Sequence, residues 1–191
     1  LVIEPYLPSI VLAGTAVAEG AGERAEALLA PILSGEAIGA FADDASVALI
    51  DGYLVGTAAC VLAGDCADVF VVVAGDGAYV VPGDAAGLSR RGYRLHGGGG
   101  AADLHFDRVA VDAASQLAPI GVTRAREAGI AFLAAEAAGA MQSALDITVE
   151  YLKTREQFGK PIGTNQALQH RAAEMLVEVE QVKSAAIYAA T

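Results

Sequence analysis

Tryptophan is absent from this 191-residue chain, and cysteine, methionine and histidine are scarce, at two, two and three copies. The two cysteines, Cys60 and Cys66, sit at a spacing that fits no zinc or redox motif, so they are read as reduced, partly buried thiols. His96, His105 and His170 do not stand at metal-ligand spacing with carboxylates or thiols, which leaves no candidate metal centre. Basic residues are also few: 12 Lys and Arg against 23 Asp and Glu, a net charge of −11. That balance excludes the basic footprint that nucleic acid demands, and it suits a cytoplasmic location. Despite a mean hydropathy of +0.46, no stretch of about eighteen residues is apolar without a charge, so no membrane span is expected. The start, Leu1-Val2-Ile3-Glu4-Pro5, has neither an initiator Met nor the pattern of a secretory signal. It reads as a beginning in mid-protein. The serines lack a nucleophile-elbow context, and no G-x-G-x-x-G run is present.

What the chain has instead is Ala, Gly and Val, arranged in three textures. Residues 1–38 read as helical, rich in Ala, Leu and Glu from Ala13 to Leu33. Breaks are expected at Gly20–Gly22 and at Pro31, and a turn at Ser34-Gly35. Residues 39–118 read as a small antiparallel β-domain. Short β-prone runs at Val47–Ile50, Tyr53–Val55, Val69–Val73, Ala78–Val81 and Leu104–Val111 are separated by Gly, Asp and Pro. Asp51-Gly52 and Asp76-Gly77 are hairpin-type dipeptides, because Gly tolerates the positive φ of such turns. Leu104, Phe106 and Val109 alternate imperfectly with polar residues, as in a half-buried strand. Gly97–Gly100 reads as a loop.

Residues 119–191 carry the clearest periodicity. Ile130, Leu133, Ala134, Ala137, Ala138, Met141, Leu145, Thr148 and Leu152 recur at helical spacing as one apolar stripe. This helix is expected to end near Phe158-Gly159, with Pro161 unable to continue it. A second helix then starts behind Thr164 as N-cap, with Leu168, Ala172, Met175, Leu176, Val179, Val182 and Ala186 as its stripe. Two long antiparallel helices joined by a short link make half of a four-helix bundle, completed by oligomerisation. The fold class is therefore α+β: a helical N-terminal remnant, a small β-domain and a C-terminal helical hairpin.

The joint between those helices reads Tyr151-Leu152-Lys153-Thr154-Arg155-Glu156-Gln157-Phe158-Gly159-Lys160-Pro161-Ile162. It is followed by Gln166-Ala167-Leu168-Gln169-His170 and Ala173-Glu174-Met175. This pattern resembles the C-terminal signature of the flavin-dependent acyl-CoA dehydrogenases. Leu28–Glu36, Ala67–Val71 and Leu104–Ala113 resemble other parts of that family with less force. The resemblance implies an oxidoreductase that removes the α proton and the β hydride of an acyl-CoA thioester, with FAD as cofactor. An electron-transfer acceptor would serve as a further partner. It implies that Arg155 contacts the FAD pyrophosphate, a task suited to the planar guanidinium fork. Gln157, Phe158 and Gln166 would contact the ADP part. In the family these contacts reach the FAD of a neighbouring subunit, which implies a homo- or hetero-oligomer, a tetramer by analogy.

The departures from the family pattern are specific. Where family members carry an acidic, Gly- and Ser-rich loop that holds the flavin ring and substrate, this chain reads Phe41–Val47 without a Glu-Pro-Gly run. Where an aromatic, an aliphatic and a Thr meet the flavin, it offers Cys60-Val61-Leu62, and an alkyl group at the last position gives no hydroxyl hydrogen bond. One family location of the catalytic base lies beyond Thr191. The other maps to Gly129, with Ile130 where a substrate-facing Arg often stands. Neither Glu127 nor Glu136 is taken as the base: the two-residue offset of Glu127 turns its side chain about 200° around the helix, and both read as ordinary surface charge. No catalytic residue is therefore assigned. Three readings follow: a subunit lending FAD contacts to a catalytic partner, as in mixed tetramers acting on bulky acyl-CoAs such as sterol side chains; a non-catalytic interaction subunit that binds no flavin; or an active homotetramer whose carboxylate base lies in a segment beyond Thr191.

Overall fold

The computed structural model describes residues 5–20 and 23–191, without the side chain of Glu23. It divides into two compact units, Leu1–Gly129 and Ile130–Thr191.

The first unit opens with a π-wound segment, Leu7–Gly14, that runs into α1, Thr15–Gly20. The expected break at Gly20–Gly22 lies partly outside the described residues; Gly20 ends α1. Helix α2, Glu23–Ser34, contains Pro31 in its last turn and is not broken by it, contrary to the sequence expectation. It stops at Gly35, whose φ of 78° is the left-handed conformation of a helix C-cap.

Eight strands of this unit form two four-stranded sheets. One has β1 (Gly39–Asp43), β4 (Val69–Ala74), β5 (Gly77–Pro82) and β8 (Gln116–Leu117), in that order. The other has β2 (Val47–Ile50), β3 (Tyr53–Leu62), β7 (Gly100–Ala110) and β6 (Leu88–Arg94). The block is not wholly antiparallel: β1 runs parallel to β4, Gly39 opposite Val69. Between the two the chain makes the β2–β3 hairpin in the other sheet. Asp51 and Gly52, at φ 50° and 81°, form the turn of that hairpin, as the dipeptide suggested. The β4–β5 turn is instead Gly75-Asp76, with Ala74 opposite Gly77, so Gly77 is already a strand residue.

Burial explains the apolar run of β4. Phe70 and Val72 face the other sheet and share a core with Leu54, Leu104, Phe106 and Val109. Val69 and Val71 face the opposite way, against Ala13, Ala16, Val17 and Ile32 of the helical layer. A strand covered on both faces loses the alternation of a half-solvated one. Each fully buried Leu or Phe here contributes about 1.5–3 kcal/mol. The imperfect alternation of β7 has a different cause. Leu54 pairs with Val109 and Gly56 with Phe106, so Val55 alone opposes Asp107 and Arg108. Arg108 takes a φ of 56° at this bulge, which turns both Phe106 and Val109 inward.

Helix α3, Pro119–Thr154, begins in the first unit, where Val122 and Ala125 join the helical-layer core. Gly121 lies so close to α1 that an added Cβ would stand 2.6 Å from Gly20 Cα and 2.7 Å from Gly20 N. The helix is long and apolar enough to cross a membrane by length and composition, with a window mean hydropathy of 1.3.

In the second unit, α3 is followed by α4, Gln166–Ala189. Ala138 and Leu145 on α3 and Val179 on α4 are buried, and Met141, Thr148, Leu152, Leu168, Ala172, Met175 and Val182 are half-buried. That matches most of the two expected stripes. Ile130, Leu133 and Leu176 depart from them, being 64%, 51% and 49% exposed, as does the exposed Ala137.

Candidate functional site

The joint between α3 and α4 is shaped by local rules. Thr154 Oγ1 donates to the Glu150 carbonyl at 2.9 Å, and Arg155 N–H to that of Tyr151 at 2.9 Å, ending α3. The helix thus stops at Thr154, short of the expected Phe158-Gly159. Those two residues instead form the tip of a minimal hairpin between β9, Glu156–Gln157, and β10, Lys160–Pro161. Phe158 at φ 53° and Gly159 at φ 78° are the paired positive φ values of a type I′ turn. Gly suits that geometry, whereas a bulky L-residue there is strained. The Ile162 N–H closes the loop onto the Arg155 carbonyl at 2.8 Å.

A 3₁₀ turn, Ile162–Thr164, leads into α4. Thr164 is not the N-cap: its hydroxyl donates to the Pro161 carbonyl at 2.8 Å. Asn165 holds the cap position and supplies no side-chain cap bond, while its carbonyl accepts from Leu168 and Gln169 N–H; among the described residues this leaves the Gln166 and Ala167 N–H groups open for an anion. Gly163 sets the spacing of the two helices, because an added Cβ would stand 2.7 Å from the Leu152 carbonyl oxygen.

Arg155, Gln157, Phe158 and Gln166 are all exposed on this corner, Phe158 to 98%. The structure brings the four onto one segment, 155–166, with Lys153 and Lys160 beside them. Among the described residues none bonds to the Arg155 guanidinium or to the side-chain amides of Gln157 and Gln166. The corner can therefore offer a bidentate cation, two amides, an aromatic face and open helix N–H groups to a polyanion with a flat ring. A groove of about 530 Å³ lies between the helices, floored by Leu145, Val149, Ala172 and Leu176 and rimmed by Asp146 and Lys153.

The segments expected to depart from the family lie in the first unit and show contacts that the sequence did not reveal. Arg126, in the second turn of α3, makes a bidentate bond to Asp43 at the end of β1, with both N–O distances 2.7 Å. The Asp43 carboxylate in turn raises the guanidinium pKa above its ordinary value. Asp44 accepts from Ser46 N–H at 2.9 Å and Ala59 N–H at 3.0 Å. The Ala59 bond, then that from Ser46, hold its carboxyl below the usual carboxylate range. Cys60, at φ 52°, donates its N–H to Asp103, which also accepts from the Tyr93 hydroxyl at 3.0 Å. Cys60 and Cys66 are free, as expected, but exposed and not partly buried. Gly129 is buried beneath Leu12, whose Cδ2 would stand 2.7 Å from an added Cβ.

Residues 128–191 match the family profile of the acyl-CoA dehydrogenase C-terminal domain. The chain is 51% identical over 67 residues to the acyl-CoA dehydrogenase FadE34 of Mycobacterium tuberculosis, across 35% of this chain and 9% of that protein. To FadE27 of the same organism it is 30% identical over an alignment of 198 residues, across 94% of this chain and 52% of that protein. Among solved structures, the ChsE4–ChsE5 complex from Mycobacterium tuberculosis superposes with a TM-score of 0.84 at 28% identity. That match covers 98% of this chain and 57% of the other. The fold class is thus the α+β architecture of these solved relatives. The chain belongs to the acyl-CoA dehydrogenase family. It spans little more than half the length of FadE27.

FAD is the cofactor this fold implies, and the two units fit it differently. The corner 155–166 offers donors and an aromatic face of the kind that a dinucleotide's phosphates and ring would take up. In the first unit, Asp43 and Asp44 are already bonded within the chain, and Leu62 offers no hydroxyl.

Proposed function

We propose that this chain is a subunit of an FAD-dependent acyl-CoA dehydrogenase that lends its helical corner to FAD held by a catalytic partner. Arg155 grips the pyrophosphate through its fork, Gln157 and Gln166 hydrogen-bond the ADP part, and Phe158 lies against it. FAD, when bound, accepts the β hydride of the acyl-CoA thioester and passes electrons to an electron-transfer acceptor. In this reading the carboxylate that takes the α proton is the partner's, and the family base location that maps within these residues, Gly129, carries none. The assembly is a homo- or hetero-oligomer, tetrameric by family analogy, and is placed in the cytoplasm. The solved relative ChsE4–ChsE5 is itself a complex of two named chains, which supports the mixed form.

The observation that carries this reading is Phe158. An aromatic side chain 98% exposed, held at φ 53° on the motif corner, is unfavourable both for solvation and for the backbone. Such an arrangement is explained by something outside the chain that covers it. The exposed Ile147, Tyr151, Ile187 and Tyr188 of the same unit, at 71%, 56%, 68% and 85%, point the same way. The test is co-purification with a paralogue carrying the base and an intact flavin loop. Flavin absorbance should be retained by the complex and lost with Arg155→Ala. Stoichiometric FAD and dehydrogenation by this chain alone would reject the proposal.

A further inference from the structure

Three features of the first unit, each unremarkable alone, bear on one place. By the family mapping, the segment Phe41–Val47 and the start of α3 around Gly129 and Ile130 are where the flavin ring and the acyl chain are handled. In this chain those elements are joined directly. Arg126 lies one helical turn before Ile130, so it projects on nearly the same side of α3. Its guanidinium spans to Asp43 through two bonds of 2.7 Å. The next residue, Asp44, turns its carboxylate back onto Ser46 N–H and Ala59 N–H, 2.9 and 3.0 Å away. The loop's two acidic side chains are thus both engaged within the chain. At the mapped base position the space above Gly129 is taken by Leu12. A carboxylate there would need Leu12 to leave and would then stand against an alkyl group.

We infer that this chain's own flavin and acyl site is closed from within. The Asp43–Arg126 fork, the Asp44 turn and Leu12 supply, from the chain itself, the contacts that a flavin ring and an acyl chain would otherwise make. The first unit is therefore built to stand without a flavin ring. This rests on the family mapping used for the proposed function, but not on whether the helical corner serves a partner. It also accounts for losses in the middle of the sequence, at 41–47 and 60–62, that no truncation would produce. An empty site with unpartnered carboxylates would be destabilised by its unpaired polar groups, whereas here they are bonded.

The test uses lumiflavin, a ring without phosphate or ADP, titrated into the full chain and read by quenching of flavin fluorescence. No saturable binding is expected up to about 1 mM, a bound set by weak affinity of about 4 kcal/mol. Saturable binding in the micromolar range would overturn the inference. In parallel, Asp43→Asn, Arg126→Gln and the double variant are compared by thermal unfolding. Each single change should lower Tm by about 1–3 °C, given the partial exposure of the pair. The double variant should lose no more than the worse single, and strictly additive losses would show that the fork does not form. In the co-purified complex, Arg126→Gln should leave flavin content unchanged. A loss matching that of Arg155→Ala would place Arg126 in a live site and overturn the inference. Failure of the proposed function is read separately, as retention of flavin by the Arg155→Ala complex.

Discussion

Replacing Phe158 with Asn should make the chain more stable and the complex worse. At φ 53° an L-aromatic residue sits in a region that costs roughly 1–2 kcal/mol, while Asn tolerates it. Asn-Gly is also the favoured pair for a type I′ turn. Phe158 is 98% exposed, so its removal sacrifices no packing within the chain. The net expectation is a gain of about 0.5–1 kcal/mol, or roughly 1–4 °C in Tm. The complex should respond in the opposite direction. If a partner or adenine ring covers half of a Phe side chain, about 100 Å² leaves water. At about 25 cal/mol per Å² that contributes about 2.5 kcal/mol, roughly 70-fold in affinity. Thermal unfolding of the chain measures the first effect. Flavin release from the complex, followed by the rise in fluorescence on dilution, measures the second. A lower Tm for Phe158→Asn would mean that the ring packs within the chain. Unchanged flavin retention would mean that nothing covers it.

Other substitutions separate packing from ligand binding. Arg155→Lys keeps the charge but loses the fork, so flavin retention should fall about 10-fold, and Arg155→Ala about 100-fold. Tm of the free chain should hold in both, since no described residue pairs with that guanidinium. Gly121→Ala places a Cβ against the Ala16 carbonyl oxygen and 2.6 Å from Gly20 Cα, all backbone that cannot rotate away. A loss of about 1–3 kcal/mol is expected, read as several degrees of Tm. For Asp44, bonds from Ala59 and Ser46 N–H depress the folded pKa below the ordinary value. Its stabilisation is therefore present above the unfolded pKa and lost as pH falls through about 4 toward the folded value. Asp44→Asn should be less stable than wild type at pH 7, and the gap should close in acid titrations monitored by circular dichroism.

Local features were legible in the sequence and distant pairings were not. The corner could be read from contiguous residues, because a turn and two helix ends depend on neighbours only. Even there the detail was set by φ. Phe158-Gly159 suggested a helix C-cap but forms a hairpin tip, since Gly satisfies either geometry. Leu104, Phe106 and Val109 showed that β7 was irregular, yet only the pairing with β3 reveals Arg108 as the bulge. Strand β1 escaped notice because Gly39–Asp43 is short and weakly β-prone, and its partner β4 arrives after an intervening hairpin. The Asp43–Arg126 bond joins residues 83 apart. One signal for it did exist: an Arg one turn before a position where the family places a cation. Alone, that position could not name its partner.

Gly163 meets the Leu152 carbonyl through main-chain atoms, so the gauge of the helical corner is fixed by backbone. Substitutions along the α3–α4 seam can therefore change the fill between the rods without displacing Arg155 from Gln166. An engineered seam, repacked for a new partner, would inherit the grip unaltered, whereas a single methyl at 163 would pry it open.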